Sequence, residues 1–94
     1  MAGPEKAIEQ PFTDWCWEKN KLVARKLVEA GRNSWPDRSI ILPGGRIVCI
    51  EFKAPNGSLS RGQEVRIKEL RALGVPVLVT SNTEEAKRWL LEQM

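Results

Sequence analysis

The sequence predicts an α/β fold: a mixed β-sheet flanked by helices, with elements in the order α-β-β-β-α-β-α. Three observations carry this expectation. Two β-rich runs, Ser39–Leu42 and Arg46–Phe52, flank Pro43-Gly44-Gly45, a strong hairpin signal. Val75–Thr80 is a short, wholly apolar run of the kind found in sheets covered on both faces. Segments before and after these runs place apolar residues at helical spacing. The 94 residues suffice for one domain, 1–94, with a modest core that dimerisation would supplement.

Taken in order, residues 5–19 place Ile8, Phe12, Trp15 and Cys16 on one helical face. Pro11 leaves two geometries open, a kink or a helix whose regular part starts there. Leu22–Val28 reads as the first strand, and the hairpin strands follow. Ala54–Leu59 is a loop containing Pro55, Asn56 and Gly57. Ser60-Arg61-Gly62-Gln63 fits a capping box that opens a second helix, which stops at Gly74. Its buried stripe is Gln63, Ile67, Leu70 and Leu73. After the apolar strand, Ser81-Asn82-Thr83-Glu84 supplies a cap for a last helix bearing Ala86, Trp89 and Leu90.

Composition narrows the chemistry. Hydrophobic content of 41% with 29% charge is that of a globular chain, and no apolar run approaches the ~20 residues of a membrane span. With no secretory signal pattern either, a soluble, intracellular protein is expected, with reduced, buried thiols at Cys16 and Cys49. A net charge of +3 mildly favours an anionic partner. The absence of histidine excludes imidazole bases and His-ligated metals. Catalysis is left to carboxylates, lysine and a hard metal.

Those groups converge in the hairpin. If the three-residue loop makes Leu42 face Arg46, paired residue numbers sum to 88, so Asp37 falls opposite Glu51. Directly opposed residues share a face, and alternation adds Lys53 to it while Val48, Ile50 and Phe52 point the other way. A bulge would shift that register by one. A bare E-x-K is ordinarily a cross-strand ion pair; here Glu51 and Lys53 end an otherwise apolar strand, where charge is costly without purpose. Two carboxylates so close repel unless a cation intervenes, and Mg²⁺ prefers oxygen ligands.

The string PDRSIILPGGRIVCIEFKAPNGSLS, followed by Gln63 and RALG, closely resembles the virus-type replication-repair nuclease (VRR-NUC) family of the PD-(D/E)xK superfamily, in its small stand-alone, phage-type form. The resemblance is strongest from Trp35 to Gly74. It implies a restriction-endonuclease-like core and a Mg²⁺-dependent DNA endonuclease, with Mn²⁺ able to substitute. Asp37, Glu51 and the main-chain carbonyl of Phe52 would be metal ligands, and Lys53 the catalytic lysine. An acid on the first helix would complete the site. Glu5 fits the family's acid-then-apolar pattern best, Glu9 second, although Pro11 departs from the expected helix. Gln63 matches a family glutamine and also closes the capping box with Ser60.

The resemblance further implies a homodimer acting on branched or junction DNA, in the manner of a Holliday-junction resolvase, in the host cytoplasm. Lys26, Arg38 and Arg61 are the candidate DNA contacts. The basic residues of the second helix alternate with Glu64 and Glu69 and read equally as a solvated face. The four tryptophans are core or interface by default, with Trp35, beside Asp37, the one placed to stack on a base. The rival class is a catalytically silent DNA-binding or dimerisation module of the same fold. The intact Asp37–Glu51–Lys53 set argues against it.

Overall fold

The computed structural model describes residues 3–26 and 34–94. Its elements are α1 (Pro4–Asn20), β1 (Ala24–Arg25), β2 (Arg38–Ile41), β3 (Ile47–Phe52), α2 (Arg61–Ala72), β4 (Val77–Thr80) and α3 (Thr83–Gln93), in the order expected. The four strands form one sheet, β1-β2-β3-β4, antiparallel except for the parallel β3–β4 pair that α2 connects. The first strand is shorter than the predicted Leu22–Val28. Its last two predicted residues lie outside the described ones.

Helix α1 starts on Pro4, whose missing N–H costs nothing at a first turn, and runs unbroken through Pro11. It ends where Lys21 turns left-handed at φ 54°, with Lys21 N–H donating to Trp17 O and Leu22 N–H to Cys16 O. Phe12 and Cys16 are fully buried, as their spacing requires. Glu9, one turn before Phe12, is buried with them.

The hairpin keeps the predicted register. Leu42 N–H donates to Arg46 O at 2.7 Å, and Gly44 and Gly45 take positive φ values of 92° and 86° that side chains resist. Arg38 pairs with Ile50, Ser39 with Cys49, Ile40 with Val48 and Ile41 with Ile47. The strands therefore sort their side chains as alternation demands. Ile40, Leu42, Val48, Ile50 and Phe52 face α1 and α3, packing with Phe12, Cys16, Ala86 and Leu90. Cys49 and Val77 face α2, packing with Ile67 and Leu70, with Trp35 and Leu59 at the margin. Glu51 shares this second face at the C-terminal end of β3.

Helix α2 opens with the full capping box. Ser60 Oγ accepts from Gln63 N–H, and Gln63 Oε1 accepts from Ser60 N–H. It closes at Gly74, φ 89°, where Val75 N–H reaches back to Leu70 O. Ile67 and Leu70 are buried as expected, whereas Leu73 is 81% exposed because it falls beyond the last helical turn. Asn82 caps α3 by accepting from Glu85 N–H at 2.8 Å.

Candidate active site

Strand β3 ends on Glu51, buried to 2% exposure, and Phe52; β2 begins one residue after Asp37. Carrying the observed pairing one step further sets Asp37 against Glu51, and the hydrogen bonds match this placement. Asp37 N–H donates to Glu51 Oε1 at 3.2 Å, and Phe52 N–H donates to Asp37 Oδ2 at 2.8 Å. Each carboxylate is thus fixed by the other strand's backbone. Asp37 Oδ1 accepts no hydrogen bond among the described residues.

Gln63 and Lys53 complete the cluster. Gln63 Nε2 donates to Glu51 Oε2 at 2.9 Å, and Gln63 Oε1 accepts from Lys53 Nζ at 2.9 Å. Lys53 Nζ also lies 3.6 Å from Glu51 Oε2. One Gln63 side chain therefore caps α2 and also bridges Glu51 to Lys53. Its amide orientation is determined, because Oε1 receives two N–H donors while Nε2 faces a carboxylate.

The electrostatics are those of crowded acids. Burial, then the Asp37 charge, pushes Glu51 up to about 7, with Lys53 opposing. Burial, and after it the neighbouring Glu9, likewise raises Asp37, while the Phe52 N–H, Lys26 and Lys53 pull it down. The two cysteines are free and buried, and burial holds Cys16 up at about 12 and raises Cys49, so both stay protonated and unreactive.

Of the two α1 acids, Glu9 is the one whose charge reaches Asp37. Glu5 sits one turn earlier, half-buried, and among the described residues it bonds to no member of the cluster. Glu9 Oε2 accepts from Arg38 Nε at 2.5 Å, and Arg38 Nη1 donates to the Ala24 carbonyl at 3.0 Å. The guanidinium expected to meet DNA is directed inward. The signal was present in the pattern. Arg38 alternates in phase with Ile40 and so faces α1, and Glu9 precedes Phe12 and Cys16 by three and seven residues. Among the other candidate DNA contacts, Lys26 is exposed within electrostatic reach of Asp37, and Arg61 is exposed at the first turn of α2. Trp35 is half-buried and donates from Nε1 to Ser39 Oγ at 3.2 Å.

Among the described residues no third His, Cys, Asp or Glu joins Asp37 and Glu51 in a metal-holding group. Two carboxylates suffice for Mg²⁺, which keeps several of its own waters.

No family model matches the sequence. The p44 protein of Acyrthosiphon pisum secondary endosymbiont phage 1, named as a candidate nuclease, is 37% identical over 62 residues, which are 66% of this chain and 67% of that protein. A solved structure described as a VRR_NUC domain matches with a TM-score of 0.79 and 27% identity, covering 95% of this chain and 96% of the other.

Proposed function

The chain belongs to the VRR-NUC family, and on that premise we propose that it is a Mg²⁺-dependent endonuclease that hydrolyses DNA phosphodiesters. The observation that carries this reading is the hydrogen-bonded set Asp37, Glu51, Lys53 and Gln63 at one end of the sheet. The donor set fits a hard divalent ion. Asp37 offers an uncommitted oxygen, and burial raises both carboxylates, Glu51 further through the Asp37 charge, so a cation between them would be favoured. Asp37, Glu51 and the main-chain carbonyl of Phe52 would hold Mg²⁺ or Mn²⁺. When bound, such an ion acidifies water and neutralises charge developing on phosphorus.

The remaining work falls to the protein's own groups. Lys53, held through Gln63, has further N–H donors for a phosphate oxygen or for the attacking water. Gln63 bridges Lys53 and Glu51, whose charged atoms lie 3.6 Å apart. Of the α1 acids, Glu9 rather than Glu5 is the one whose charge reaches this set, and its carboxylate is engaged by Arg38. Lys26 and Arg61 are the assigned phosphate contacts.

The finer reading is a homodimer that selects branched DNA by shape and cuts two strands, working in the cytoplasm. No helix among the described residues is long and apolar enough to cross a membrane. The test is incubation of four-way-junction, flap and splayed-arm DNA with and without Mg²⁺. Wild type should nick junctions symmetrically only with the metal. Asp37→Ala and Lys53→Met should lose at least about 100-fold in rate yet still bind. Cutting by Asp37→Ala at the wild-type rate would remove the assignment, and cutting in chelator would remove the cofactor. Sedimentation velocity reads the oligomeric state directly.

A further inference from the structure

We infer that Arg38 and Glu9 form an internal latch that positions Asp37, so that Arg38 serves the reaction through the strand it sits on and not through contact with DNA. The inference rests on the nuclease reading for its effect on turnover, and on geometry alone for its effect on Asp37.

One guanidinium joins three elements. Arg38 belongs to β2, its Nε bonds Glu9 of α1, and its Nη1 bonds the Ala24 carbonyl of β1. The pair is nearly enclosed, with side-chain exposures of 15% for Arg38 and 6% for Glu9. The Arg66–Glu69 and Lys87–Glu84 pairs each leave the acid exposed and span a single helix. An enclosed ion pair rarely stabilises a fold more than apolar side chains of equal volume would, so its use here is better sought in geometry. Its position supplies one. Asp37 is the residue before Arg38, and it lies just outside the regular ladder. With Arg38 pinned on one face, Asp37 has its backbone N–H set toward Glu51 Oε1 and its carboxylate set toward Phe52 N–H on the other. An arginine suits this better than a lysine, because its planar fork holds two acceptors at a fixed angle.

The experiment compares wild type with Arg38→Gln, Glu9→Gln and the double variant. Amide hydrogen exchange at Asp37 and Phe52, in the metal-free full chain, reads the latch directly. Both amides should exchange faster in each variant, and unchanged exchange overturns the inference even if the protein proves not to be a nuclease. Mn²⁺ affinity, measured by electron paramagnetic resonance, and kcat on four-way-junction DNA should each fall about 10–100-fold, with KM unchanged. The double variant should lose no more than the worse single, since the two act as one unit. A raised KM with kcat retained makes Arg38 a DNA contact and overturns the latch, as do losses that multiply in the double variant. Thermal melts establish that each variant is folded at the assay temperature. Where Arg38→Gln is not, Arg38→Lys replaces it, with a smaller loss of the same pattern expected. A wild type that neither binds Mn²⁺ nor cuts removes the nuclease reading, while the exchange data still decide the latch.

Discussion

Glu51 is the residue on which stability and chemistry pull in opposite directions. Folding raises its pKa from 4.5 to about 7, chiefly by burial and then by the Asp37 charge, so the fold favours the protonated acid. That contribution is complete below about pH 4.5, fades as pH rises, and is gone above about 7. In metal-free buffer Glu51→Gln, which stays neutral, should therefore be more stable than wild type at pH 8 by roughly 1–3 kcal/mol. Near pH 4 the two should converge. Saturating Mg²⁺ should lift the melting temperature of wild type alone, and melts across this range check both points. Gln63 offers a second case. Gln63→Glu keeps an acceptor for Lys53 and Ser60 but loses the N–H to Glu51 and adds a like charge. It should lower kcat about 10–100-fold, as the loss of a supporting hydrogen bond to a ligand commonly does. At this scale the sequence was informative wherever alternation fixed the facing. Asp37, Glu51 and Lys53 followed from counting across the hairpin. The charge of Arg38 points to DNA and its phase with Ile40 points inward, and the phase prevails.

At the scale of elements, the turns and caps were the most legible parts, because each depends on a few adjacent residues. Gly44-Gly45 set the hairpin and hence the register, and Ser60 with Gln63 set the start of α2. Helix α1 was harder, since local propensity argues against a continuous helix through Pro11. Packing prevails there: Phe12 and Cys16 on the following turns are fully buried against the sheet. Pro11 still deprives the Ala7 carbonyl of its helical donor. Pro11→Ala should therefore raise stability by roughly 1–3 kcal/mol, measured by chemical denaturation, and leave cleavage unchanged. A loss of activity would mean that the proline sets the placement of Glu9. The extent of β1 could not be read from its apolar pattern, because Leu22 and Ala24 are buried whether or not the strand continues.

For the whole molecule, the modest positive charge gives a poor account of where DNA would bind. With all groups ionised, Asp37 and Glu51 outnumber Lys53 by one in the bonded cluster, so the innermost part of the proposed cleft is negative within a positive chain, and Lys26 opposes this from outside the cluster. On this reading a phosphate approaching the metal-free acids would be repelled, with the proposed contacts at Lys26 and Arg61 opposing the repulsion. Junction binding measured in chelator at pH 8 should be weaker than in Ca²⁺, and the gap should narrow as pH falls below about 7 and Glu51 gains a proton. Salt should weaken both, as it does any binding through phosphates. A gap that stays constant with pH would separate the cation effect from these acids.

On the proposed reading, the carboxylate pair would govern the order of events as well as the chemistry. A vacant cleft would turn the backbone of DNA away, and one charged with a divalent ion would admit it. The same two side chains that would prepare water for attack would then also act as a gatekeeper, so that a nucleic acid encountered without magnesium would be released before it could be held unproductively.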